Sequence, residues 1–195
     1  SYKLVVSGDK GTTIRGVDAA GVFYGIQSLL ALWPVEGEAG KDWSIEIPAC
    51  TVEDAPRFPY RGMHLDVARN FNEMEAVFRL LDVMAFYKLN RLHLHLTDDE
   101  GWRIEIPSLP ELTDVGAYRG HTTSERDHLI PAYGSGPDPK AEGNHGSGYL
   151  SREDFIDLLK FAASHHIEVI PEVNMPGHSR AAIYSMESRY DRLMK

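Results

Sequence analysis

The stretch Arg91-Leu92-His93-Leu94-His95-Leu96-Thr97 decides the fold. Its residues alternate strictly in polarity. An extended chain therefore puts Leu92, Leu94 and Leu96 on one face and His93, His95 and Thr97 on the other. The stretch Arg61–Val67 repeats the pattern, with Met63, Leu65 and Val67 opposing Gly62, His64 and Asp66. Ile167–Val173 reads as a third strand. In an open doubly wound sheet such strands would be apolar on both faces. An apolar face toward helices and a polar face inward suits a (β/α)8 barrel with a working lumen.

Helices fall between these strands. Glu73–Tyr87 carries Ala76, Val77, Leu80, Leu81 and Met84 on one face. Ser151 opens a helix with Glu153 behind it, and Phe155, Leu158, Leu159 and Ala162 line its apolar side. Arg180–Met194 reads as a further helix. The intervening 107–149, rich in Gly, Pro, His and Asp, reads as a long polar loop. Strands alternating with helices predict parallel βαβ units.

Before Pro56-Arg57-Phe58-Pro59-Tyr60 the pattern differs. Residues 2–6 and 12–15 predict a hairpin around Gly8-Asp9-Lys10-Gly11. Asp18 is a candidate N-cap for a helix carrying Val22, Ile26, Leu29 and Leu30, stopped by Pro34. A strand is expected over Trp43–Ile47. Residues 1–55 thus read as a small α+β piece and residues 56–195 as barrel.

A complete barrel takes eight βα units and roughly 250 residues. The 195 residues offer about three units after Tyr60. The expected fold class is therefore α/β, the first three or so βα units of a TIM barrel behind part of an α+β domain. A barrel truncated in this way exposes strand edges, which further chain, self-association or rearrangement must cover.

Composition narrows the function classes. Hydrophobic residues are 43% and charged residues 25%, which places the chain among globular proteins. Lys+Arg number 20 against 29 Asp+Glu, a net charge of −9, and no basic cluster is present to neutralise nucleic-acid phosphates. Cys50 is the single cysteine, so neither an internal disulfide nor a Cys-rich zinc site is expected. The longest apolar run, around Leu29–Trp33, is too short to span a bilayer. No charged segment with an apolar run precedes Tyr2, so no signal segment is expected in the sequence as given.

Barrel active sites gather at the C-terminal ends of the strands. The three ends read Asp66-Val-Ala-Arg69-Asn70, Thr97-Asp98-Asp99-Glu100-Gly101-Trp102-Arg103 and Glu172-Val-Asn174-Met-Pro-Gly177-His178. Each carries charge or a titratable group that a plain structural loop does not need. Arg69 is either a donor fork for hydroxyls or a carboxylate, or a surface arginine paired with an acid. Asp98, Asp99 and Glu100 are either an acid/base cluster or a solvated acidic turn. Adjacent residues point apart, so one or two of the three can face the same site. His178 is either a proton-relay or orienting group, or a loop histidine. Trp102 either stacks on a sugar ring or plugs the base of the loop. His93 and His95 form a His-x-His that could bind metal. The preferred reading is a hydrogen-bonded interior pair, placed below the rim by the two residues separating it from Asp98.

The segments Tyr60–Phe71, Met84–Arg103 and Ile167–His178, with the following Arg-Ala-Ala-Ile-Tyr-Ser-Met-Glu-Ser-Arg-Tyr, resemble the β-N-acetylhexosaminidases of glycoside hydrolase family twenty, chitobiase type. Residues 1–55, with Asp18-Ala-Ala-Gly-Val-Phe-Tyr-Gly-Ile-Gln-Ser-Leu, resemble the end of the α+β domain that precedes the barrel in this family. The resemblance implies retaining hydrolysis of terminal β-linked N-acetylglucosamine or N-acetylgalactosamine. The substrate's own 2-acetamido oxygen acts as nucleophile, an exception to the two-carboxylate scheme. It implies no cofactor and no metal. Arg69 matches the arginine that holds the terminal sugar's hydroxyls. Asp98 and His178 match residues that support the catalytic glutamate. The implied partner is an aminosugar glycan, with neither nucleic acid nor membrane. The implied location of the longer parent is periplasmic or secreted.

Two departures stand out. The family's Asp-Glu catalytic pair follows Gly-Gly at the end of strand four, beyond these residues. Asp99-Glu100 is not that pair, and many relatives have Gln at the position of Glu100. Asn174 stands where relatives usually have Asp, and Asn can donate where Asp only accepts. The isolated 195 residues are accordingly expected to be inactive. Two alternatives remain: a metal-dependent barrel hydrolase using His93 and His95, and a non-catalytic aminosugar-binding module keeping Arg69 and Trp102.

Overall fold

Tyr2–Ser7 (β1) and Gly11–Gly16 (β2) form the expected hairpin, with Leu4 opposite Ile14 and Gly11 at φ +69 in the turn. The structure is a computed structural model describing residues 1–34 and 46–195. Asp18 caps Ala19–Ala31 (α1), its carboxylate accepting from the Gly21 N–H at 2.6 Å. The apolar stripe read from the sequence is not what α1 buries. Val22, Ile26 and Leu30 stay exposed, and the buried positions are Gly21 and Gly25. A Cβ on Gly25 would lie 2.5 Å from Ile14 Cγ2, so glycine is what lets the helix approach the sheet.

The strand expected over Trp43–Ile47 falls mostly outside the described residues, and residues 46–47 carry no strand. The third strand is Cys50–Asp54 (β3), antiparallel to β1, with Leu4 facing Val52. Pro48 has no N–H to give a ladder, and pairing begins beyond it. The sheet order is β2-β1-β3.

The chain then runs through Gly62–Asp66 (β4), Met74–Phe86 (α2), Arg91–His95 (β5), Thr97–Asp98 (β6), Gly101–Trp102 (β7), Glu111–Asp114 (α3), Arg152–Ser164 (α4), Glu168–Glu172 (β8) and Arg180–Leu193 (α5). Strands β4, β5 and β8 are parallel and adjacent in that order. This is α/β architecture: three βα units of the barrel type behind an α+β piece. Leu92 and Leu94 are fully buried against Val77, Leu81 and Met84 of α2 and Leu158 and Ala162 of α4. Each such leucine contributes about 1.5–3 kcal/mol. Ser151 and Asp154 form a reciprocal capping box at the start of α4, with Asp154 rather than Glu153 as partner. Met63 on edge strand β4 and Leu159 on α4, both placed on apolar faces by the alternation, are 43% and 40% exposed. No described element packs over them.

Two buried arginines hold the long loop. Arg103 has no exposed surface and makes six hydrogen bonds to five main-chain carbonyls: Val67 O, Ala68 O twice, Ala117 O, Gly146 O and Gly148 O, at 2.8–3.2 Å. Burial, with Arg119 nearby, pushes its guanidinium down to about 9, still cationic at neutral pH. Arg119 donates to Tyr133 O at 2.8 Å and Glu100 O at 3.4 Å. The segment after β4 is thereby tied to the loop that covers it.

Candidate active site

Register sets the floor of the site. In the β4-β5-β8 sheet Asp66 lies opposite His95, and His95 opposite Glu172. One row below, His64 lies opposite His93. All five project from the polar face that the alternation assigned to the lumen.

Above that row the strand ends converge on Asp98. Its side chain is 1% exposed. Oδ2 lies 2.8 Å from Arg69 Nη2 and 3.0 Å from His95 Nε2. Oδ1 lies 3.1 Å from His178 Nδ1 and accepts from the Asp99 N–H at 2.7 Å. The two contacts to Oδ2 are at ion-pair distance but off-axis, so this buried oxygen lacks an aligned hydrogen bond. Its stabilisation is coulombic. His178 is held at φ +55, a conformation that costs a non-glycine residue about 1 kcal/mol or more. That strain presents its imidazole to Asp98 while the side chain stays 62% exposed.

Arg69 is the second hub. Besides Asp98 it meets Asp66 Oδ2 through Nη1 at 2.7 Å and Glu100 Oε2 through Nε at 3.2 Å. Hydrogen bonds to Asp66 and Glu100, with the Asp98 ion pair beside them, fix the plane of the guanidinium and leave N–H groups on Nη1 and Nη2 for a ligand. Burial alone would lower its pKa, but Asp66, Asp98 and Glu100 raise it overall. Burial would likewise raise the Asp66 carboxyl. Hydrogen bonds from Arg69, side chain and backbone, more than offset that and hold it below its usual range, with the Ala68 N–H as a further donor.

Arg69, Asp98 and His178 are therefore brought together, as the sequence expected. Alternation along the acidic turn sends Asp98 and Glu100 toward Arg69 and Asp99 away. Asp99 Oδ1 accepts from the Arg180 N–H at 3.0 Å, capping α5, whose own Ser179 makes no side-chain cap. Trp102 is 8% exposed, packs with Leu112, Leu129 and Ala181, and donates its indole N–H to Ile104 O. It is the plug and offers no face to a sugar. Asn174 lies beside the site: its amide nitrogen is 3.0 Å from His95 Nε2 and 3.3 Å from Thr97 O, and its own N–H donates to Thr97 Oγ1.

One placement is corrected. His95 was expected below the rim because two residues separate it from Asp98. The strand is interrupted at Leu96, between β5 and β6, and His95 and Asp98 meet at 3.0 Å. His95 is buried and belongs to the site. His93 instead pairs with Glu172 at 2.6 Å and stacks edge-on against His64. The strand-end reading contained Asp66, Glu100 and Glu172, but their part in holding Arg69, His95 and His93 follows only from the tertiary fold.

The comparisons agree with this geometry. The pattern "Glycosyl hydrolase family 20, catalytic domain" matches residues 58–194, and "Glycosyl hydrolase family 20, domain 2" matches residues 1–55. The N,N'-diacetylchitobiase of Vibrio harveyi is 51% identical over 195 residues, covering 100% of this chain and 21% of that protein. Beta-hexosaminidase B of Pseudoalteromonas piscicida is 46% identical over 99% of this chain and 24% of its own length. The solved exo β-N-acetylglucosaminidase of Vibrio harveyi, in complex with N-acetylglucosamine, superposes with a TM-score of 0.85 at 40% identity, over 95% of this chain and 27% of that one. The β-hexosaminidase of Streptomyces plicatus superposes with a TM-score of 0.75 at 37% identity, over 93% of this chain and 33% of that one. The chain thus spans about a fifth to a quarter of the length of the curated relatives it matches. With three barrel-type βα units, a polar lumen row and an Arg69–Asp98–His178 constellation at their C-terminal ends, the chain belongs to glycosyl hydrolase family 20.

Proposed function

We propose that these residues are the N-terminal part of the catalytic barrel (56–195) and the end of its preceding α+β domain (1–55) in a β-N-acetylhexosaminidase. The protein they serve removes terminal β-linked N-acetylglucosamine or N-acetylgalactosamine from chitobiose-like glycans. The observation that carries this is the buried Asp98 carboxylate held between Arg69 and His178. Arg69, fixed by three acids, presents its free N–H groups to the hydroxyls of the terminal sugar. Asp98 and His178 form a charged relay whose outer end, the exposed His178 ring, orients the acid/base glutamate. The sugar's 2-acetamido oxygen supplies the nucleophile, so one carboxylic acid suffices for leaving-group protonation.

That acid belongs to the Asp-Glu pair after strand four, and the 195 residues alone are inactive on this reading. They require no cofactor. None of the described helices is long and apolar enough to cross a membrane. A glycan substrate fits a periplasmic or secreted parent.

The test is a chimera. Residues 1–195 replace the matching segment of the Vibrio harveyi chitobiase, and turnover of a chromogenic N-acetylglucosaminide is measured. The expected result is an active chimera, with Arg69→Ala and Asp98→Ala each lowering kcat/KM by at least a hundredfold, and no turnover from the 195 residues alone. A folded chimera whose activity is indifferent to both substitutions overturns the reading.

A further inference from the structure

We propose that His64, His93 and Glu172 form a binding site for a divalent transition metal of the zinc class on the lumen face of the sheet. Their ligand atoms lie within 4.8 Å of one another. They come from three adjacent parallel strands, β4, β5 and β8, so sheet register rather than a loop fixes them. His64 Nε2 lies 3.7 Å and His93 Nε2 2.6 Å from the same Glu172 oxygen, Oε2.

Tetrahedral zinc with bonds of about 2.0–2.2 Å sets its ligands about 3.3–3.5 Å apart. The observed distances to Glu172 Oε2, 3.7 and 2.6 Å, lie on either side of that spacing. Two imidazoles and one carboxylate are the donor set of three-ligand zinc sites that keep a coordination position open. The two rings stand at 86° with centroids 4.8 Å apart, so neither blocks the other's nitrogen.

One feature favours a metal over a simple hydrogen-bonded pair. At 3.7 Å His64 Nε2 is too far from Glu172 for a hydrogen bond, and it makes none with any described residue. It is a free imidazole donor in a half-exposed position.

The three residues lie on the floor beneath the Arg69–Asp98–His178 constellation, next to His95, and the proposal does not depend on the hydrolase reading. Its test uses the 195-residue chain itself. Zinc chloride is titrated calorimetrically, and cobalt(II) is added in parallel as a spectroscopic probe. The expected result is one saturable site and a visible cobalt d–d band of the intensity given by four- or five-coordinate sites. His64→Gln, His93→Gln and Glu172→Gln each weaken zinc at least tenfold, while His165→Gln and His178→Gln leave it unchanged. His64 is half exposed, so His64→Gln retains the fold, as circular dichroism would verify, and reports on the ligand alone. Absence of saturable binding overturns the proposal. So does affinity unchanged in His64→Gln, or lost in His178→Gln, which would move the ion to the Asp98–Asp99–His178 group.

Discussion

Nη2 of Arg69 lies 2.8 Å from Oδ2 of Asp98, and the other oxygen of that carboxylate lies 3.1 Å from Nδ1 of His178. One buried side chain therefore couples the ends of three strands. Arg69 follows β4, Asp98 ends β6 just beyond β5, and His178 follows β8. Each partner approaches from a different βα loop, so the constellation exists only when all three units are folded.

Removing the charge at Asp98 should destabilise the chain. Asp98→Ala is expected to cost about 1–3 kcal/mol, because the buried His95 ring and the part-buried Asp99 N–H lose their carboxylate partner, the exposed His178 ring contributing less. Arg69 softens the effect, since it keeps Asp66 and Glu100 and is partly solvated. Asp98→Asn should fare no better, as its amide would face the Arg69 guanidinium. The check is the urea midpoint at constant m. A shift equivalent to less than about 0.5 kcal/mol in both variants would falsify the coupling.

Asp66 should shape the acid limb of stability. Its folded carboxyl titrates below the unfolded value of about 3.9. Its contribution is therefore fully present above about pH 4 and is lost as pH falls through the lower, folded value. Asp66→Asn should be less stable than the wild type at neutral pH, and the gap should close on acidification below about pH 4. Urea midpoints measured across that range test this. A gap that stays constant with pH would show that the carboxylate charge contributes nothing.

Arg103 should govern the loop rather than the sheet. Arg103→Met leaves five main-chain carbonyls without their guanidinium donor and is expected to cost about 3–5 kcal/mol. The freed segments are those around Ala117 and Gly146–Gly148. Hydrogen exchange at Gly148, whose N–H donates to Ala117 O, should accelerate far more than exchange in β5. Uniform acceleration across both would mean Arg103 merely supports global stability.

The parts of this molecule legible in the sequence are those governed by local periodicity. Leu92, Leu94 and Leu96 against His93, His95 and Thr97 give the strand, its two faces and the barrel class. Asp18 and Ser151 mark helix starts through their side-chain oxygens. What stayed hidden depends on close approach or on distant partners. Gly21 and Gly25 decide the buried face of α1, although Val22, Ile26 and Leu30 carry the apolar signal. Asp99 caps a helix 81 residues away. The meeting of His95 with Asp98 depends on the interruption between β5 and β6 at Leu96, which extended-strand spacing does not contain.

The outer edges of β4 and β8 have no strand partner among the described residues. Unpaired ladders of this kind template further pairing. The 195-residue chain should associate with rising concentration, which sedimentation velocity would detect. A lysine at Ile170, which lies on the lumen face of edge strand β8 beside His93 and is only partly buried, should weaken that association. Ideal monomer behaviour throughout would show that the edges are covered some other way.

Lys88 should bind the α+β piece to the barrel. It sits at φ +59 between α2 and β5. Its ammonium donates to Tyr2 Oη and Ser28 Oγ at 2.7 Å each and to Asp54 Oδ2 at 2.9 Å. All three acceptors belong to the first sheet or its helix, so this one residue supplies a polar latch across the junction. Burial would lower the lysine, but the hydrogen bonds it donates to Tyr2 and Asp54 raise it overall. Its contribution is present below the unfolded value of about 10.4 and is lost as pH rises through the higher, folded value. Asp54 is 41% exposed, so its ionic share is worth less than about 1 kcal/mol. Most of the effect must then come from the hydrogen bonds to Tyr2 and Ser28. Lys88→Met, which keeps the stem and removes the ammonium, should cost about 1–3 kcal/mol. A double-mutant cycle with Tyr2→Phe should give a larger coupling than one with Asp54→Asn. The reverse order would show that the latch is ionic and should then weaken with salt.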